Sequence, residues 1–571
     1  MEQYMKNYLR WLESDKLSEA EKAELRSIRD DDGEIRLRFT SYLSFGTAGL
    51  RGIMKTGMNA MNVHTVAYAT QGLANLILKE GRAADGVAIA YDSRNNSALF
   101  AKTSAQVLAA AGIKSYLFDE LRPTPELSFA LREYGCVAGI NITASHNPKQ
   151  YNGYKAYWED GAQLPPEHAD TVSAEMEALD IFADVKLADF DSALADGLIV
   201  MLGAQTDAKY LDCVVAQAVN PDAVKAVADD LKIVYTPLHG TGHKLVPEVM
   251  RRIGLKHLYT VPEQMIIDGD FPTVPKPNPE YPQVFELGIA IANEVGSDLI
   301  VATDPDADRV GVMTRTADGS FMTITGNQMG ALLLDYILTA YEETGSMPDH
   351  PYAVKTIVST ELAAAICAAH NVKMHNVLTG FKFIGEVIKN YEAKGYGSFI
   401  LGFEESYGYL KGTYARDKDA VVASMLICEM TAYYKAKNMT LGDALQGLYE
   451  RYGYCYETNV EIYMEGLDGA ARMAAMMDTL RNDPPAVFGD VPVELFGDYK
   501  TETFTELATG KKIPTGLPKS NVLYFKLTNG DVIVVRPSGT EPKIKFYFLL
   551  LGKDQNDVLC KLEGYKKTLE A

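Results

Sequence analysis

Short apolar runs alternate with amphipathic helical patterns along most of this chain. Ser18 and Glu21 have the spacing of a capping box and predict a helix that begins there. Further along, apolar runs predict buried strands in three successive pairs: 86–91 with 137–142, 231–236 with 298–303, and 352–358 with 398–403. A helical pattern over 99–111 separates the first two runs. Because apolar strands that alternate with helices are typical of sheets covered on both faces, we predict α/β units with parallel or mixed sheets.

The last part of the chain has a different pattern. It predicts, in order, strands over 522–527, 532–535 and 543–550 and a closing helix over 555–569. Asn529-Gly530 between the first two strands predicts a hairpin with a type I′ turn. These elements predict a small α+β domain, and we interpret the Pro- and Asp-rich stretches 483–485 and 489–492 as the connection into it.

The composition limits the class of protein. With 571 residues, the chain exceeds what one hydrophobic core normally organises, and three to five domains are expected. No apolar run reaches the roughly 18–20 residues that cross a bilayer, and the first residues lack the pattern of a signal peptide. The six cysteines are scattered without a CxxC pair, which favours reduced thiols in a cytoplasmic protein. A net charge of −21 argues against nucleic acid or a membrane as the partner.

Three aspartates, Asp304, Asp306 and Asp308, alternate along one loop directly after a predicted strand. Carboxylates this close repel one another unless a cation lies among them. Their oxygens suit a hard divalent cation, and three carboxylates leave coordination positions open for a phosphoryl oxygen or water. The loop therefore predicts a Mg²⁺ site, with an acidic solvated turn as the alternative.

A second polar loop, TASHNP at 143–148, follows the strand predicted at 137–142. Ser145 is a candidate nucleophile there, and His146 is placed to polarise it or to form a hydrogen bond with it. Without other support, a loop of this composition is more often a simple turn. The chain has no GxSxG elbow at this serine, so a serine hydrolase is not favoured.

Two more loops carry polar residues, one suited to hydroxyl groups and the other to a phosphate. In GFEESYG at 402–408, the paired acids can accept hydrogen bonds from sugar hydroxyls or can cap a following helix. In RPSGTEPK at 536–543, a guanidinium, two hydroxyls and a glycine predict a phosphate cradle. The alternative for this second loop is a hairpin with a surface arginine.

Further cations lie in shorter motifs. Arg51 belongs to the glycine-rich segment 46–52, which matches neither GxGxxG nor a Walker A loop, so no nucleotide site is indicated. Lys155 lies in YNGYK and Lys382 in TGFK. Each alone is more typical of a surface lysine than of a catalytic one, unless the two share a cleft.

Taken together, TASHNP with YNGYK, DPDADR, GFEES and RPSGTEPKIK occur in this order across residues 41–550. As a set they resemble the α-D-phosphohexomutase superfamily, and most closely its long phosphoglucomutase/phosphopentomutase branch. The resemblance implies an α/β fold with four domains around a central cleft: three related α/β domains with mixed sheets and a smaller C-terminal α+β domain. We expect the domains to span 1–204, 205–320, 321–455 and 456–571.

The resemblance also implies roles for the matching residues. The implied catalytic residues are Ser145, which would carry the phosphoryl group, and Arg51, His146, Lys155 and Lys382. The implied ligands of one Mg²⁺ are Ser145, Asp304, Asp306 and Asp308. The implied substrate contacts are Glu404 and Ser406 at the sugar, Arg309 in the charged surround, and Arg536, Ser538, Gly539, Thr540 and Lys543 at the phosphate. Some branches have a histidine shortly after the sugar-binding acid, but this chain has Tyr407-Gly408-Tyr409, so no histidine role is transferred.

The implied activity is the reversible interconversion of α-D-glucose 1-phosphate and D-glucose 6-phosphate, with glucose 1,6-bisphosphate as intermediate and activator. Phosphopentomutase, phosphomannomutase, metal-dependent phosphatase and sugar-phosphate sensor are the alternatives, and the general base stays open between Lys155 and Lys382. We expect small-molecule sugar phosphates as partners and a monomer or homodimer. Because an acidic protein must collect positive charge locally for an anionic substrate, these cations are expected to converge on one cleft facing Ser145: Arg51, Lys155, Arg309, Lys382, Arg536 and Lys543.

Overall fold

The computed structural model describes residues 1–46, 49–464, 469–538 and 543–570. Gly539 and Thr540, predicted to bind phosphate, lie outside these described residues. By its contacts the chain divides into two compact units. Unit 1 comprises Met1–Thr323, Ile388–Asn390 and Gly408–Asn438, and unit 2 comprises Ile324–Val387, Tyr391–Tyr407 and Met439–Ala571.

The helices and strands are numbered in chain order. Residues 1–203 form α1 (Gln3–Glu13), α2 (Glu19–Ser27), α3 (Asp32–Phe39), β1 (Leu50–Ile53), α4 (Val63–Lys79), β2 (Val87–Tyr91), α5 (Ser97–Ala110), β3 (Ser115–Phe118), α6 (Thr124–Glu133), β4 (Ala138–Ile142), β5 (Tyr151–Trp158), α7 (Pro166–Ala178), α8 (Phe190–Ala195) and β6 (Ile199–Leu202). Residues 204–325 form α9 (Ala204–Val215), α10 (Pro221–Ala226), β7 (Lys232–Thr236), α11 (Gly242–Arg252), β8 (His257–Thr260), α12 (Pro262–Met265), a 3-10 turn (Pro282–Phe285), α13 (Glu286–Val295), β9 (Leu299–Thr303), β10 (Val310–Arg315) and β11 (Phe321–Ile324).

The remaining elements follow in the same order. Residues 326–452 form α14 (Gly326–Thr344), β12 (Pro351–Thr356), α15 (Leu362–Ala369), β13 (Lys373–Val377), α16 (Phe381–Lys394), β14 (Ser398–Glu404), β15 (Gly408–Leu410), α17 (Ala420–Ala436) and α18 (Leu441–Tyr452). Residues 454–570 form β16 (Tyr454–Tyr463), α19 (Gly469–Asn482), β17 (Val487–Phe488), β18 (Val491–Asp498), β19 (Thr503–Glu506), β20 (Lys512–Pro514), β21 (Leu523–Leu527), β22 (Val532–Pro537), β23 (Lys543–Gly552) and α20 (Gln555–Glu570). None of the described helices is both long and apolar enough to cross a membrane.

The predicted capping box forms at the start of α2. The Ser18 hydroxyl accepts a hydrogen bond from the Glu21 N–H, and the Glu21 carboxylate accepts one from the Ser18 N–H at 2.8 Å. These bonds satisfy N–H groups that have no partner within the helix. The sequence pattern therefore placed this helix start correctly.

Two mixed sheets form the centre of unit 1. The first has the strand order β1-β5-β4-β2-β3-β6, in which β2 is parallel to β3 and β4, whereas β5 is antiparallel to β4 and β1. The second has the order β11-β10-β9-β7-β8, in which β7 is parallel to β8 and β9, and β10 is antiparallel to β9. The prediction of α/β units with mixed sheets is confirmed.

Strand β2 shows why its sequence is apolar at successive positions. Val87 and Ile89 belong to one buried cluster, and Ala88 and Ala90 belong to another on the opposite face of the sheet. Because successive side chains of a strand point to opposite faces, a sheet covered on both sides needs apolar residues at every position. The strand ends at Tyr91, and polar residues begin directly after it.

Within unit 2, β12 pairs in parallel with both β13 and β14. The predicted strand 352–358 ends two residues early, at Thr356. The C-terminal sheet has the order β16-β23-β22-β21-β18-β19-β20, with antiparallel pairing between its successive strands. On one face, side chains of α20 join its core: Val558, Leu562 and Tyr565.

The predicted hairpin between β21 and β22 forms, but its turn is not type I′. A type I′ turn needs positive φ at both central residues. Gly530 has a φ of +90°, whereas Asn529 has no positive φ, and the Gly530 N–H donates to the Leu527 carbonyl at 3.0 Å. The Asn529 amide instead donates to Asp531 at 2.7 Å and to Tyr565 at 3.0 Å, which ties the turn to α20.

The stretch 483–492 is not the connection into the C-terminal sheet. β16 already belongs to that sheet, since it pairs with β23 from Tyr454↔Gly552 to Tyr463↔Lys543. Strands β17 and β18 begin within the same stretch. The stretch therefore lies inside this C-terminal domain, directly after α19.

Candidate active site

Ser145 lies on the loop between β4 and β5, and its backbone is held in an unusual conformation. Its φ of +52° is uncommon for a residue with a side chain and persists only where the surroundings enforce it. The Thr143 hydroxyl accepts a hydrogen bond from the Ser145 N–H at 2.8 Å and donates to Asp92 at 2.6 Å. Because Asp92 directly follows β2, these bonds attach the serine loop to the end of the neighbouring strand.

Arg94 also holds this loop, and the sequence analysis missed it. Its buried guanidinium donates to the carbonyl oxygens of Ser145 and Asn147, both at 2.5 Å. The Asp92 carboxylate lies 3.3 Å from Arg94 Nε and balances the buried charge. The signal was present in the sequence, since D-S-R directly follows the first predicted strand, as polar site loops of α/β folds do.

The Ser145 side chain faces the aspartate loop. Its hydroxyl belongs to a residue that is only 3% exposed and donates to Asp304 Oδ2 at 2.9 Å. His146 Nδ1 lies 3.1 Å from the same hydroxyl oxygen. The candidate nucleophile and the candidate metal loop, separated by 159 positions in the chain, are thus in direct contact.

The aspartate loop follows β9, and hydrogen bonds from the protein hold its carboxylates. Asp304 Oδ1 accepts the N–H groups of Asp308 and Arg309 at 3.1 and 3.0 Å. Asp306 Oδ2 accepts from Lys155 Nζ at 2.7 Å. These bonds fix the orientation of the carboxylate groups.

The opposite oxygens of two of these carboxylates are left for a ligand. Oδ1 of Asp306 and Oδ1 of Asp308 are buried and accept no hydrogen bond within the part of the chain that the structure describes. One oxygen from each of the three carboxylates lies within 4.8 Å of the others. Arg309 Nε lies 3.8 Å from Asp308 Oδ1, too far for a hydrogen bond. Buried carboxylate oxygens without hydrogen bonds are costly unless a cation binds them, so this donor set fits a hard divalent cation such as Mg²⁺.

The pKa values follow from this crowding. Burial and the carboxylates of Asp306 and Asp308 raise the pKa of Asp304 well above its usual range. Burial acts on Asp306 in the same direction, but the Lys155 ammonium and accepted hydrogen bonds outweigh it and lower the pKa of Asp306. Burial lowers the pKa of Lys155, yet the same two carboxylates, Asp306 and Asp308, raise it overall. A cation among the carboxylates would offset the repulsion that raises the pKa of Asp304.

The loop that contains Gly240 and Thr241 packs against the aspartate loop. The Thr241 N–H donates to the Pro305 carbonyl at 2.8 Å. A Cβ atom at Gly240 would lie 2.4 Å from the Cα of Pro305, so only glycine allows the two backbones to come this close. The position of the aspartates is therefore fixed by contacts on both sides of the loop.

Cations surround Ser145 within unit 1. Arg51 donates to the Asn147 side chain at 2.9 Å, and Arg309 donates to Glu280 at 2.6 Å. Burial and the Arg309 and Arg51 guanidinium groups lower the pKa of His146 well below its ordinary value, so its imidazole is neutral at pH 7. A neutral His146 can hydrogen-bond the serine without adding charge.

Lys418 is a further cation that the sequence analysis missed. Its ammonium lies 3.2 Å from Asp308 Oδ2 and 2.9 Å from Asp417 Oδ1. It comes from the segment between β15 and α17, far along the chain from the other site residues. The signal for it was the charged run Arg416-Asp-Lys-Asp419, which lies close behind the GFEES loop.

The predicted sugar and phosphate loops lie in unit 2. Glu404 ends β14 and accepts the Gly380 N–H at 2.8 Å. Burial raises the pKa of Tyr547; the Glu405 carboxylate adds to this effect, and a hydrogen bond from Arg536 opposes it. The GFEES loop and the start of the phosphate loop thus both approach Tyr547.

Other predicted residues of unit 2 have these positions. Ser406 and Ser538 are half-buried, and the Ser538 N–H donates to the Lys543 carbonyl at 2.8 Å. The Lys543 ammonium lies 3.0 Å from Glu461. Lys382 lies in the first turn of α16, where burial lowers its pKa against the opposing influence of Glu386. Of the six predicted cations, Arg51, Lys155 and Arg309 therefore belong to unit 1, and Lys382, Arg536 and Lys543 to unit 2.

Three family models match consecutive parts of the chain. Their descriptions are phosphoglucomutase/phosphomannomutase alpha/beta/alpha domain I over residues 42–181, domain II over 208–319 and domain III over 325–452. The three matches together cover well over half of the chain.

Curated relatives match over nearly the whole length. A phosphoglucomutase of Staphylococcus haemolyticus is 36% identical over 518 residues, covering 90% of this chain and 91% of that protein. A phosphoglucomutase of Staphylococcus aureus strain MRSA252 is 36% identical over 545 residues, covering 94% of each chain. Matches of this length extend beyond residue 452, where the third family model ends.

Solved structures share the fold at low sequence identity. A putative phosphomannomutase from Thermus thermophilus superposes with a TM-score of 0.68 at 20% identity, covering 93% of this chain and all of that one. Parafusin, a phosphoglucomutase from Paramecium, gives a TM-score of 0.67 at 18% identity, covering 92% and 94%. These structures show the shared fold, and the family models with the curated relatives establish that the chain belongs to the phosphoglucomutase/phosphomannomutase family of the α-D-phosphohexomutase superfamily, in its phosphoglucomutase branch.

Proposed function

We propose that this protein is a Mg²⁺-dependent phosphoglucomutase that interconverts α-D-glucose 1-phosphate and D-glucose 6-phosphate. The observation that carries the proposal is the contact between Ser145 and Asp304, at 2.9 Å, beside two carboxylates that each offer a buried oxygen without a hydrogen-bond partner among the described residues. Relatives of similar length that are named phosphoglucomutase support glucose as the sugar.

In the proposed reaction, the phosphoryl group on Ser145 passes to the free hydroxyl of a glucose monophosphate. The bond from Ser145 Oγ to phosphorus breaks while the sugar oxygen bonds to phosphorus, which yields glucose 1,6-bisphosphate. The bisphosphate reverses its orientation, and Ser145 takes back the phosphoryl group from the other end. Glucose 1,6-bisphosphate is therefore both the intermediate and the activator that loads Ser145.

The proposed Mg²⁺ ligands are Asp304, Asp306, Asp308 and Ser145. Bound there, Mg²⁺ would neutralise negative charge on the transferring phosphoryl group. Arg51 and Arg309 lie close enough to His146 to lower its pKa, so their charges also act on the region next to Ser145. The neutral His146 would hold the Ser145 oxygen in position for attack.

We propose Lys155 as the general base that accepts the proton of the attacking hydroxyl. Its ammonium lies 2.7 Å from Asp306, so the group is beside the metal ligands, where the reacting hydroxyl must arrive. Asp306 and Asp308 raise the pKa of Lys155, and a Mg²⁺ bound among these carboxylates would offset their charge, so that burial would lower the pKa as a general base requires. Lys382, in unit 2, is proposed to assist by binding the substrate. A larger loss of kcat in Lys382→Met than in Lys155→Met would reverse this assignment.

The proposed recognition residues belong to unit 2. Glu404 and Ser406 would bind sugar hydroxyls, while Arg536, Ser538, Gly539, Thr540 and Lys543 would bind the phosphate that is not transferred. A guanidinium with hydroxyl and backbone donors accepts a phosphate from either end of the sugar, as the reversal requires. We further propose that the domains have the bounds expected above, and that the protein is a cytoplasmic monomer or homodimer.

A substrate panel tests the proposal. The full-length protein is assayed with Mg²⁺ and a catalytic amount of glucose 1,6-bisphosphate on glucose 1-phosphate, mannose 1-phosphate and ribose 1-phosphate. We expect the highest kcat/KM with glucose 1-phosphate. Ser145→Ala should abolish turnover, whereas Ser104→Ala, which removes a buried hydroxyl of α5, should not. Equal or better turnover of the mannose or ribose compound would contradict the assignment of glucose.

A further inference from the structure

We infer that Thr124 is a positioning residue that holds Asp306 in its metal-binding orientation, and that Asn141 orients the Thr124 hydroxyl for this task. The inference rests on the proposed role of Asp306 as a Mg²⁺ ligand. Neither Thr124 nor Asn141 belongs to the four loops that the sequence motifs single out.

Thr124 forms two hydrogen bonds with Asp306. It is the first residue of α6, and its N–H donates to the Asp306 carbonyl oxygen at 2.9 Å. Its hydroxyl donates to Asp306 Oδ2, also at 2.9 Å. One residue thus fixes both the backbone and the carboxylate of Asp306, although 182 positions separate them.

Asn141 determines the direction in which the Thr124 hydroxyl points. The Asn141 side-chain amide donates to Thr124 Oγ1 at 2.7 Å. A hydroxyl has a single proton, and an oxygen that accepts from Asn141 keeps that proton for another partner. The Thr124 proton is therefore directed to Asp306.

Two neighbouring strands, β4 and β5, each carry a residue that is connected to Asp306 by hydrogen bonds, one directly and one through Thr124. Asn141 on β4 and Lys155 on β5 are register partners. Lys155 contacts Asp306 Oδ2 directly, at 2.7 Å, and Asn141 reaches the same oxygen through Thr124. Because β4 leads into the Ser145 loop, the arrangement links the position of Asp306 to that of the phosphoryl-carrying serine.

The consequence for the metal concerns the other oxygen of Asp306. Two donors occupy Oδ2, and Oδ1 has no hydrogen-bond partner among the described residues. This presents Asp306 as a ligand through Oδ1 in one fixed orientation. Partners that orient a ligating carboxylate typically contribute roughly 10- to 100-fold to metal affinity.

The test measures metal binding directly, with Mn²⁺ as a probe that shares the oxygen-ligand preference of Mg²⁺. Free Mn²⁺ is quantified by electron paramagnetic resonance during titration of the full-length protein. We expect Thr124→Val, which removes only the hydroxyl, to raise the Kd for Mn²⁺ about tenfold or more. Thr124→Ser, which restores the hydroxyl, should bind Mn²⁺ within about twofold of wild type.

A matched control removes a buried hydroxyl elsewhere. Thr103 on α5 is buried, and its hydroxyl donates to the Leu99 carbonyl. Thr103→Val should leave the Kd for Mn²⁺ unchanged, since this hydroxyl bonds within its own helix rather than to the aspartate loop. An equal loss in Thr103→Val and Thr124→Val would overturn the inference.

Further outcomes decide the question. A folded Thr124→Val with wild-type Kd overturns the inference, as does a Thr124→Ser that binds as weakly as Thr124→Val. If Thr124→Val does not fold, Asn141→Ala decides, because it keeps Thr124 but frees its hydroxyl: weaker Mn²⁺ binding supports the inference and unchanged binding overturns it. If the wild-type protein does not bind Mn²⁺, the proposed metal site fails, and the inference fails with it.

Discussion

The predicted site residues of unit 1 and unit 2 differ in how far they are buried. In unit 1, the proposed reaction centre (Ser145, Asp304, Asp306 and Asp308) is buried, and hydrogen bonds from several elements hold its loops. In unit 2, the described residues of the proposed recognition loops (402–407, 536–538 and Lys543) are buried to different extents. Glu404 and Lys543 are buried, whereas the other polar side chains are half-buried: Glu405, Ser406, Arg536 and Ser538. A reacting group must be held to a fraction of an ångström, whereas a site that accepts a bisphosphate in two orientations needs donors without a closely shaped pocket. The half-buried donors of unit 2 agree with this proposed division of tasks.

The comparison predicts that changes in the reaction centre act on kcat. The largest effect is expected for Asp308→Asn, which removes a proposed metal ligand and its charge. We expect kcat to fall roughly 10³-fold with little change in KM, and removal of Mg²⁺ by EDTA to have a similar effect on wild type.

Steady-state kinetics at saturating Mg²⁺ measure this change. Asp318→Asn, in an exposed turn, serves as the control and should keep wild-type kcat. If Asp308→Asn retained more than about a tenth of wild-type kcat, the aspartate loop would not be the site of charge neutralisation.

Changes in the recognition loops should act mainly on KM. Arg536→Lys keeps the positive charge but removes the planar pair of donors that is proposed to bind phosphate. We therefore expect KM for glucose 1-phosphate to rise roughly 10- to 100-fold, with kcat within a few fold of wild type.

Initial rates over a range of substrate concentrations separate the two parameters. Arg472→Lys, at an exposed position on α19, is the matched control. A loss confined to kcat in Arg536→Lys would remove the distinction between the two regions.

The smallest effect concerns a buried carboxylate of unit 1 that lies outside the reaction centre. Neither oxygen of Glu126 accepts a hydrogen bond within the described part of the chain, and burial together with Asp207 raises its pKa well above 4.5. The stability from this raised pKa is fully present below the unfolded value of about 4.5 and is lost as pH rises through the folded value.

Glu126→Gln should therefore unfold with the same free energy as wild type near pH 4.5. Near pH 8 it should be more stable than wild type, with unchanged kcat, because it carries no buried charge at this position. Denaturant unfolding at the two pH values tests this. A variant that is less stable at pH 8, or one that loses kcat, would show that the carboxylate has a function which burial alone does not explain.

The sequence predicted the loops that carry the candidate site residues but not the residues that hold these loops in position. Ser145 and the three aspartates follow strands whose apolar character is visible locally, and the structure brings Ser145 into contact with Asp304. Thr124 and Lys418 gave no local signal strong enough to assign a role, because a threonine next to prolines and a lysine in a charged run are common in turns. Their roles depend on partners 182 and 110 positions away, and only the folded chain brings these together.

Local rules also failed where a tertiary contact competed with them. Asn529-Gly530 favours a type I′ turn, but the Asn529 side chain bonds to Asp531 and Tyr565, and its backbone adopts another conformation. The Pro- and Asp-rich stretch 483–492 resembles a linker, yet β16 had already joined the sheet through pairing with β23. Long-range strand pairing of this kind leaves no mark in a local pattern.

The central claim is that Ser145 carries the phosphoryl group to and from the sugar. The full-length protein is incubated with Mg²⁺ and ³²P-labelled glucose 1,6-bisphosphate, freed of sugar, and mapped by peptide mass spectrometry before and after glucose 6-phosphate is added. We predict a label on Ser145 that persists in buffer and passes to the added sugar as glucose bisphosphate. Label at another residue, or rapid release from Ser145 to water without sugar, would contradict the account.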